Sequence, residues 1–245
     1  VDERESLLDT LRERLGLTSI KRGCEVGECG ACTVLIDGEP IDSCIYLTVW
    51  ARDKKIITVE GLKSGEGQLH PVQKAFIEEA AVQCGFCTPG LIMSAVAIAG
   101  KKKRYTREEL RREISGHLCR CTGYVKIQEA IELSAKILND DIQIQQVKSK
   151  TKIADIIDEK ILGKAIYTGD IYDDDMIYAS ALRLDIPRVF VKNIDYTAAL
   201  KHKDVVAIID KSNLKKGKYI GINKDVPVFV GVGEETRCIS DAICV

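Results

Sequence analysis

Leu7, Leu8, Leu11 and Leu15 recur at helical spacing along residues 5 to 15, with Gly16 where a helix would stop, so the first predicted element is an amphipathic helix. Thr33-Val34-Leu35-Ile36, the turn Asp37-Gly38 and Glu39-Pro40-Ile41-Asp42 predict a hairpin that carries Cys44 back to residues 21 to 31. Ile56 to Val59 reads as a further short strand. From His70 the pattern turns helical. Val72, Phe76 and Ala80 mark one inward face, then Ile92, Ala95, Val96 and Ala99, then Leu110 and Ile114 behind a Thr106-to-Glu109 capping box, then Ile127, Ala130, Ile131 and Leu138.

Residues 140 to 155 are polar, Gln143 to Lys152 especially, and read as a linker. Beyond it the texture becomes β-rich: Met176 to Leu182, Val189 to Ile194, Val205 to Ile209 and Val228 to Val230 are apolar runs, with a short helix near Tyr196 to Leu200. The pattern as a whole predicts an α+β protein in several parts.

Composition narrows the classes. The 245 residues carry 36 Lys plus Arg against 37 Asp plus Glu, so there is no general basic field for nucleic acid. No apolar run approaches the roughly 20 residues of a membrane-spanning helix, and no signal-like leader opens the sequence.

The chemistry lies in the cysteines. Of the ten, Cys24, Cys29 and Cys32 stand in C-x4-C-x2-C spacing with Cys44 as a distant fourth, and Cys84-Gly85-Phe86-Cys87 is answered by Cys119-Arg120-Cys121. Eight cysteines in two ligand-like quartets point away from secreted disulfides and towards a reducing compartment, the cytoplasm. Thr88-Pro89 and Thr122 read as helix caps, which would set each pair of the second quartet before a helix N-terminus, a favourable place for an anionic centre. The second quartet alone is equally compatible with structural zinc, and the first quartet tips the reading towards two iron-sulfur clusters. Cys238 and Cys244 remain over and read as small buried residues. His70 and His117 are expected in capping or surface roles, Trp50 in packing, and Lys101 to Arg104 in a solvated loop.

SLLDTLRERLGLT, GCEVGECGACTVLIDG, HPVQ, QCGFCTPG and CRCTGY, in this order across residues 6 to 138, resemble the iron-sulfur portion of the molybdenum hydroxylases, the xanthine dehydrogenase and aldehyde oxidoreductase family. The resemblance implies a β-grasp ferredoxin-like domain over 1–65, with its opening hairpin missing and its sheet therefore incomplete. It further implies a four-helix [2Fe-2S] bundle over 66–139, the linker 140–155, and over 156–245 a partial α/β hammerhead of the molybdenum-binding portion. The last rests on Gly163 to Thr168 and on Arg237 to Val245. Glu25 departs from the glycine common at that position in the family, while Gly27 is kept.

By the same resemblance, Cys24, Cys29, Cys32 and Cys44 hold an outer [2Fe-2S] cluster. Cys84, Cys87, Cys119 and Cys121 hold the cluster nearest a molybdenum-pterin, which Gln83 and Cys121 would contact. The implied partners are the rest of the molybdenum-binding portion and a separate flavin subunit or other electron acceptor, and no catalytic residue is expected in this stretch. The function implied is electron transfer through the two clusters in a molybdenum hydroxylase-type oxidoreductase, and two readings compete with it: a zinc-stabilised interaction module and a free-standing ferredoxin-like carrier. The hammerhead-like tail argues against a carrier.

Overall fold

The computed structural model describes residues 1–62, 69–139, 142 and 159–245, which divide into two compact units, Val1–Ile171 and Tyr172–Val245. The first unit opens with α1 (Leu7–Asp9), capped by the Ser6 side chain and continued by a π-helical turn, Thr10–Arg14. Leu7, Leu8 and Leu11 are buried as the stripe predicts, but Leu15 is 61% exposed and Arg12 is buried in its place. The cause is the extra residue of the π turn, in which the Leu15 amide reaches back to the Thr10 carbonyl, rotating every later side chain off the α-helical phase. Gly16, at φ +67°, then closes the helix as expected.

The hairpin forms as read. β1 (Thr33–Ile36) pairs antiparallel with β2 (Glu39–Asp42) through Asp37 and Gly38, both at positive φ, and β3 (Ile56–Ile57) pairs on the other edge, giving the order β2-β1-β3. Cys44 lies in a 3-10 turn directly after β2, Ser43–Ile45. β1 is buried on both faces. Val34 and Ile36 pack with Leu7, Leu8 and Leu11, while Leu35 joins the core of the helices that follow. One strand thereby serves two cores, each fully buried aliphatic side chain contributing about 1.5–3 kcal/mol.

Four helices build the larger core: α2 (Pro71–Glu78), α3 (Thr88–Gly100), α4 (Arg107–Glu113) and α5 (Val125–Leu138). Val72, Phe76, Ile92, Leu110, Ile127 and Ile131 meet there. The Thr106–Glu109 capping box is present, and His70 caps α2 by accepting from the Val72 amide. Ala80 lies past the end of α2 at φ 54° rather than on its inner face. Lys101 and Lys103 of the basic loop pair with Glu113 and Glu109.

The predicted linker lies outside the described residues apart from Ile142. Residues 159–171, which the sequence groups with the third segment, pack within the first unit, where Ile161 is fully buried in the helical core. Trp50 does not pack inside. It is 55% exposed, against the edge of Tyr46.

The second unit carries α6 (Thr197–Leu200), close to where the sequence puts it, and two small sheets: β4 (Leu182–Arg183) with β7 (Ala242–Cys244), and β5 (Tyr219–Ile220) with β6 (Val226–Pro227). The apolar runs predicted as strands form little ladder. Met176, Ile177 and Tyr178 are exposed, while Val189 and Val191 bond to the backbone of 233–236, Ile209 to Val245, Val228 to Lys218 and Val230 to Ala242, in pairings of only one or two residues. The core they share, Val191, Val230 and Ile243, is small. Cys244 is buried as expected, whereas Cys238 is exposed beside Asp241.

Candidate metal centres

The first quartet is shaped by its own loop. Gly23 passes so close to Cys29 that an added Cβ would lie 2.7 Å from its sulfur, and Gly27 and Gly30 take positive φ. Glu25 adopts φ 59° as well, which explains why glycine suits that position, and its carboxylate pairs with Arg22. Backbone amides turn towards sulfur. The N–H groups of Val26 and Glu28, the latter at 3.3 Å, bring the Cys24 thiol down to about 7. Burial pushes Cys32 up to about 12 and raises Cys29. The thiols gather as two neighbouring pairs, Cys24 with Cys29 and Cys32 with Cys44.

The second quartet is assembled from segments far apart in sequence. Cys84 and Cys87 precede α3, while Cys119 and Cys121 precede α5. The expected caps differ. Cys87, not Thr88, is the N-cap residue of α3, which leaves Thr88 as the first helical residue. Thr122 does not cap α5, because Tyr124, at φ 68°, occupies that position; the Thr122 hydroxyl instead lies 3.1 Å from Cys119 Sγ and accepts from the Tyr124 amide. The left-handed turn at Gly123 and Tyr124 folds the loop back, so that the Tyr124 hydroxyl accepts from the Cys119 amide and donates to the His117 carbonyl.

Burial opposes ionisation at Cys119, but Thr122 and the loop backbone outweigh it and lower the thiol; burial raises Cys87, and the neighbouring Cys84 raises Cys121. Here too the thiols neighbour each other in pairs, Cys84 with Cys121 and Cys87 with Cys119. The first of these pairs is exposed, as is Gln83 beside it, while Cys87 is buried.

This arrangement suits a two-iron centre. All ten cysteines are free, and each quartet offers its sulfurs two by two, as two irons would take them. His117, expected in a capping or surface role, is buried: its Nε2 lies 2.7 Å from Ser94 Oγ, its Nδ1 faces the Gly30 backbone, and burial brings it down to about 4. It fills the seam between the two cysteine loops, where the Leu118 amide donates to the Cys29 carbonyl.

Residues 1–56 match the family profile of the 2Fe-2S iron-sulfur cluster binding domain, and residues 58–132 that of the [2Fe-2S] binding domain. Over 127 residues, 51% of this chain and 79% of the relative, the sequence is 55% identical to the xanthine dehydrogenase iron-sulfur-binding subunit of Escherichia coli O157:H7. The chain belongs to the xanthine dehydrogenase and aldehyde oxidoreductase family, as its iron-sulfur part.

The nicotinate dehydrogenase small FeS subunit of Eubacterium barkeri is another relative within this family, 47% identical over 55% of this chain and 85% of its own length. Aldehyde oxidoreductase from Desulfovibrio gigas superposes with a TM-score of 0.79 at 28% identity, covering 100% of this chain and 29% of that one. The chain therefore spans under a third of that family member. Its two [2Fe-2S] domains are the electron-transfer part of an oxidoreductase of the molybdenum hydroxylase type. Among the described residues no helix is long and apolar enough to cross a membrane.

Sequence reasoning missed three residues around the second quartet. Lys160 donates to the Gln83 carbonyl at 2.6 Å, Tyr167 donates to the Cys84 carbonyl at 2.8 Å, and Asp170 joins Arg12 and Lys21 in a buried ion cluster. A buried lysine and arginine in the amino-terminal segment are a detectable signal only once their acidic partner, about 150 positions later, is known.

Proposed function

We propose that Cys24, Cys29, Cys32 and Cys44 hold one [2Fe-2S] cluster and Cys84, Cys87, Cys119 and Cys121 the other, and that the chain relays electrons from a molybdenum-pterin site through the second quartet to the first. When bound, each cluster accepts and passes on one electron at a time. The protein's part is to hold thiolates in position and to aim amide and hydroxyl donors at sulfur, as Val26, Glu28 and Thr122 do. The observation that carries the reading is that the eight free thiols come together as four neighbouring pairs, Cys24 with Cys29, Cys32 with Cys44, Cys84 with Cys121 and Cys87 with Cys119.

The exposed edge of Gln83, Cys84 and Cys121 supports placing the second quartet towards the pterin. The domain scheme follows the same reading: a β-grasp ferredoxin-like region over 1–65, a four-helix bundle over 66–139, the linker 140–155 and hammerhead elements within 156–245, with 159–171 returning to the cluster region. The expected partners are the molybdenum-binding portion, which would hydroxylate a substrate carbon, and a flavin subunit or other acceptor. Two unpaired thiol quartets suit the reducing cytoplasm. Iron and acid-labile sulfide analysis of anaerobically purified protein tests the assignment. About four of each per chain, with brown colour, is expected, and stoichiometric zinc in a colourless protein would return it to an interaction module.

A further inference from the structure

Residues 159–170 lie across the second quartet without supplying a ligand to it. The segment is fastened at three points. Ile161 is fully buried in the helical core, and its carbonyl accepts from Gln73 Nε2. Gly163, at φ +75°, sits against Ser19 and Val59 with no room for a side chain. Asp170 accepts from Arg12 at 2.6 Å, Lys21 at 3.0 Å and the Tyr167 amide at 3.0 Å, with the side chains of Asp170, Arg12 and Lys21 only 6%, 5% and 2% exposed. A carboxylate buried to this degree is retained only where its partners are fixed.

What the anchors hold in place is Tyr167. Its ring stands edge-on to Phe86, between the two cysteines of the 84–87 loop, at 5.5 Å, and carries the Lys21 ammonium 4.5 Å from its centre. Its hydroxyl donates to the Cys84 carbonyl, and Lys160 donates to the preceding carbonyl of Gln83. Gly85 completes the fit from the other side. At φ +89°, a Cβ there would come within 2.7 Å of the Tyr167 hydroxyl and of the Lys160 stem, so the loop has a slot shaped for these two side chains.

We propose that residues 159–170 are a positioning strap for the second cysteine quartet, in which Tyr167, fixed by Asp170, orients the Cys84 carbonyl and raises the reduction potential of the cluster held there. The inference rests on the cluster assignment above. A cluster gains negative charge on reduction, and a fixed hydroxyl dipole that draws density from a carbonyl next to a ligand stabilises the reduced form. Among the described residues the Tyr167 hydroxyl bonds to the Cys84 carbonyl and not to the first quartet, which should not sense it.

The test is an EPR-monitored redox titration of the full chain carrying both clusters, comparing wild type with Tyr167→Phe, which keeps the ring and loses the hydroxyl. The expected result is a shift of the second cluster to lower potential with the first unmoved. Gly85→Ala, which closes the slot from the loop side, should move the same cluster in the same direction, and Lys160→Met should do so by less. An unmoved second-cluster potential in Tyr167→Phe, or an equal shift of both clusters, would overturn the strap. Loss of the second signal alone in Tyr167→Phe would support it as a stronger form of the same dependence. Iron and sulfide content of the wild type, measured alongside, separates this failure from failure of the cluster assignment.

Discussion

The two cysteine quartets are put together by different structural routes. In the first, three of the four cysteines fall between Cys24 and Cys32, and the glycines and amides that shape them come from the same loop. In the second, two pairs separated in sequence are brought together by the packing of α3 with α5, and their backbone is held by residues 160 to 170. A locally encoded site should fail through local backbone changes, whereas an assembled one should fail through changes far from its sulfurs.

The change expected to test that contrast most severely is Asp170→Asn, which leaves Arg12 and Lys21 without their buried carboxylate and should cost about 3 kcal/mol, measured by urea unfolding. It should also disturb the second cluster's spectrum before the first, and the contrast breaks if the Cys24 loop responds first. Its pH dependence has a definite sign. Burial pushes the Asp170 carboxyl up, but Arg12, the Tyr167 amide and Lys21 hold it below its ordinary value. A lowered carboxyl contributes fully above its unfolded value of about 3.9 and loses that contribution as pH falls through the folded value. The stability gap between wild type and variant should thus be flat from about pH 5 to 8 and close only in stronger acid.

Gly30→Ala comes next, at about 2–3 kcal/mol. Its Cβ would meet His117 and come within 2.6 Å of the Gly116 carbonyl oxygen, at a φ of +66°. Because the collision lies on the seam, this local change should weaken both clusters, which iron release under chelator would show. Equal resistance to wild type would mean that the seam is looser than the contacts imply. The smallest effect expected is from Glu25→Gly, which relieves a left-handed non-glycine residue at the loss of an exposed ion pair with Arg22. A gain of up to about 1 kcal/mol, seen as a higher Tm with the second cluster's spectrum unaltered, would sharpen the view that the first loop is locally determined.

What was legible in the sequence follows the same division. The hairpin through Asp37-Gly38, the stop at Gly16 and the Thr106 capping box each depend on residues within a few positions, and each forms as read. Leu15 was misplaced because a π turn changes the phase of a helix without altering its composition. Arg12, Lys21 and Tyr167 gave no local signal, since their meaning lies in contacts with Asp170 and Cys84 that only the folded chain creates. His117 read as a capping or surface residue because neither Ser94 nor Gly30 is near it in sequence. In the second unit the apolar runs were visible, but their pairings are short and the core they share is small.

The seam between the loops also limits how such a protein could be recombined. Gly90, in α3, faces the Gly30 carbonyl so closely that a methyl group would collide with it, and the Leu118 amide is bonded to the Cys29 carbonyl. The two halves are thus matched surfaces rather than exchangeable modules. A chimera that takes its amino-terminal half from one relative and its helical half from another inherits a working joint only if both parents keep a hydrogen at both glycine positions.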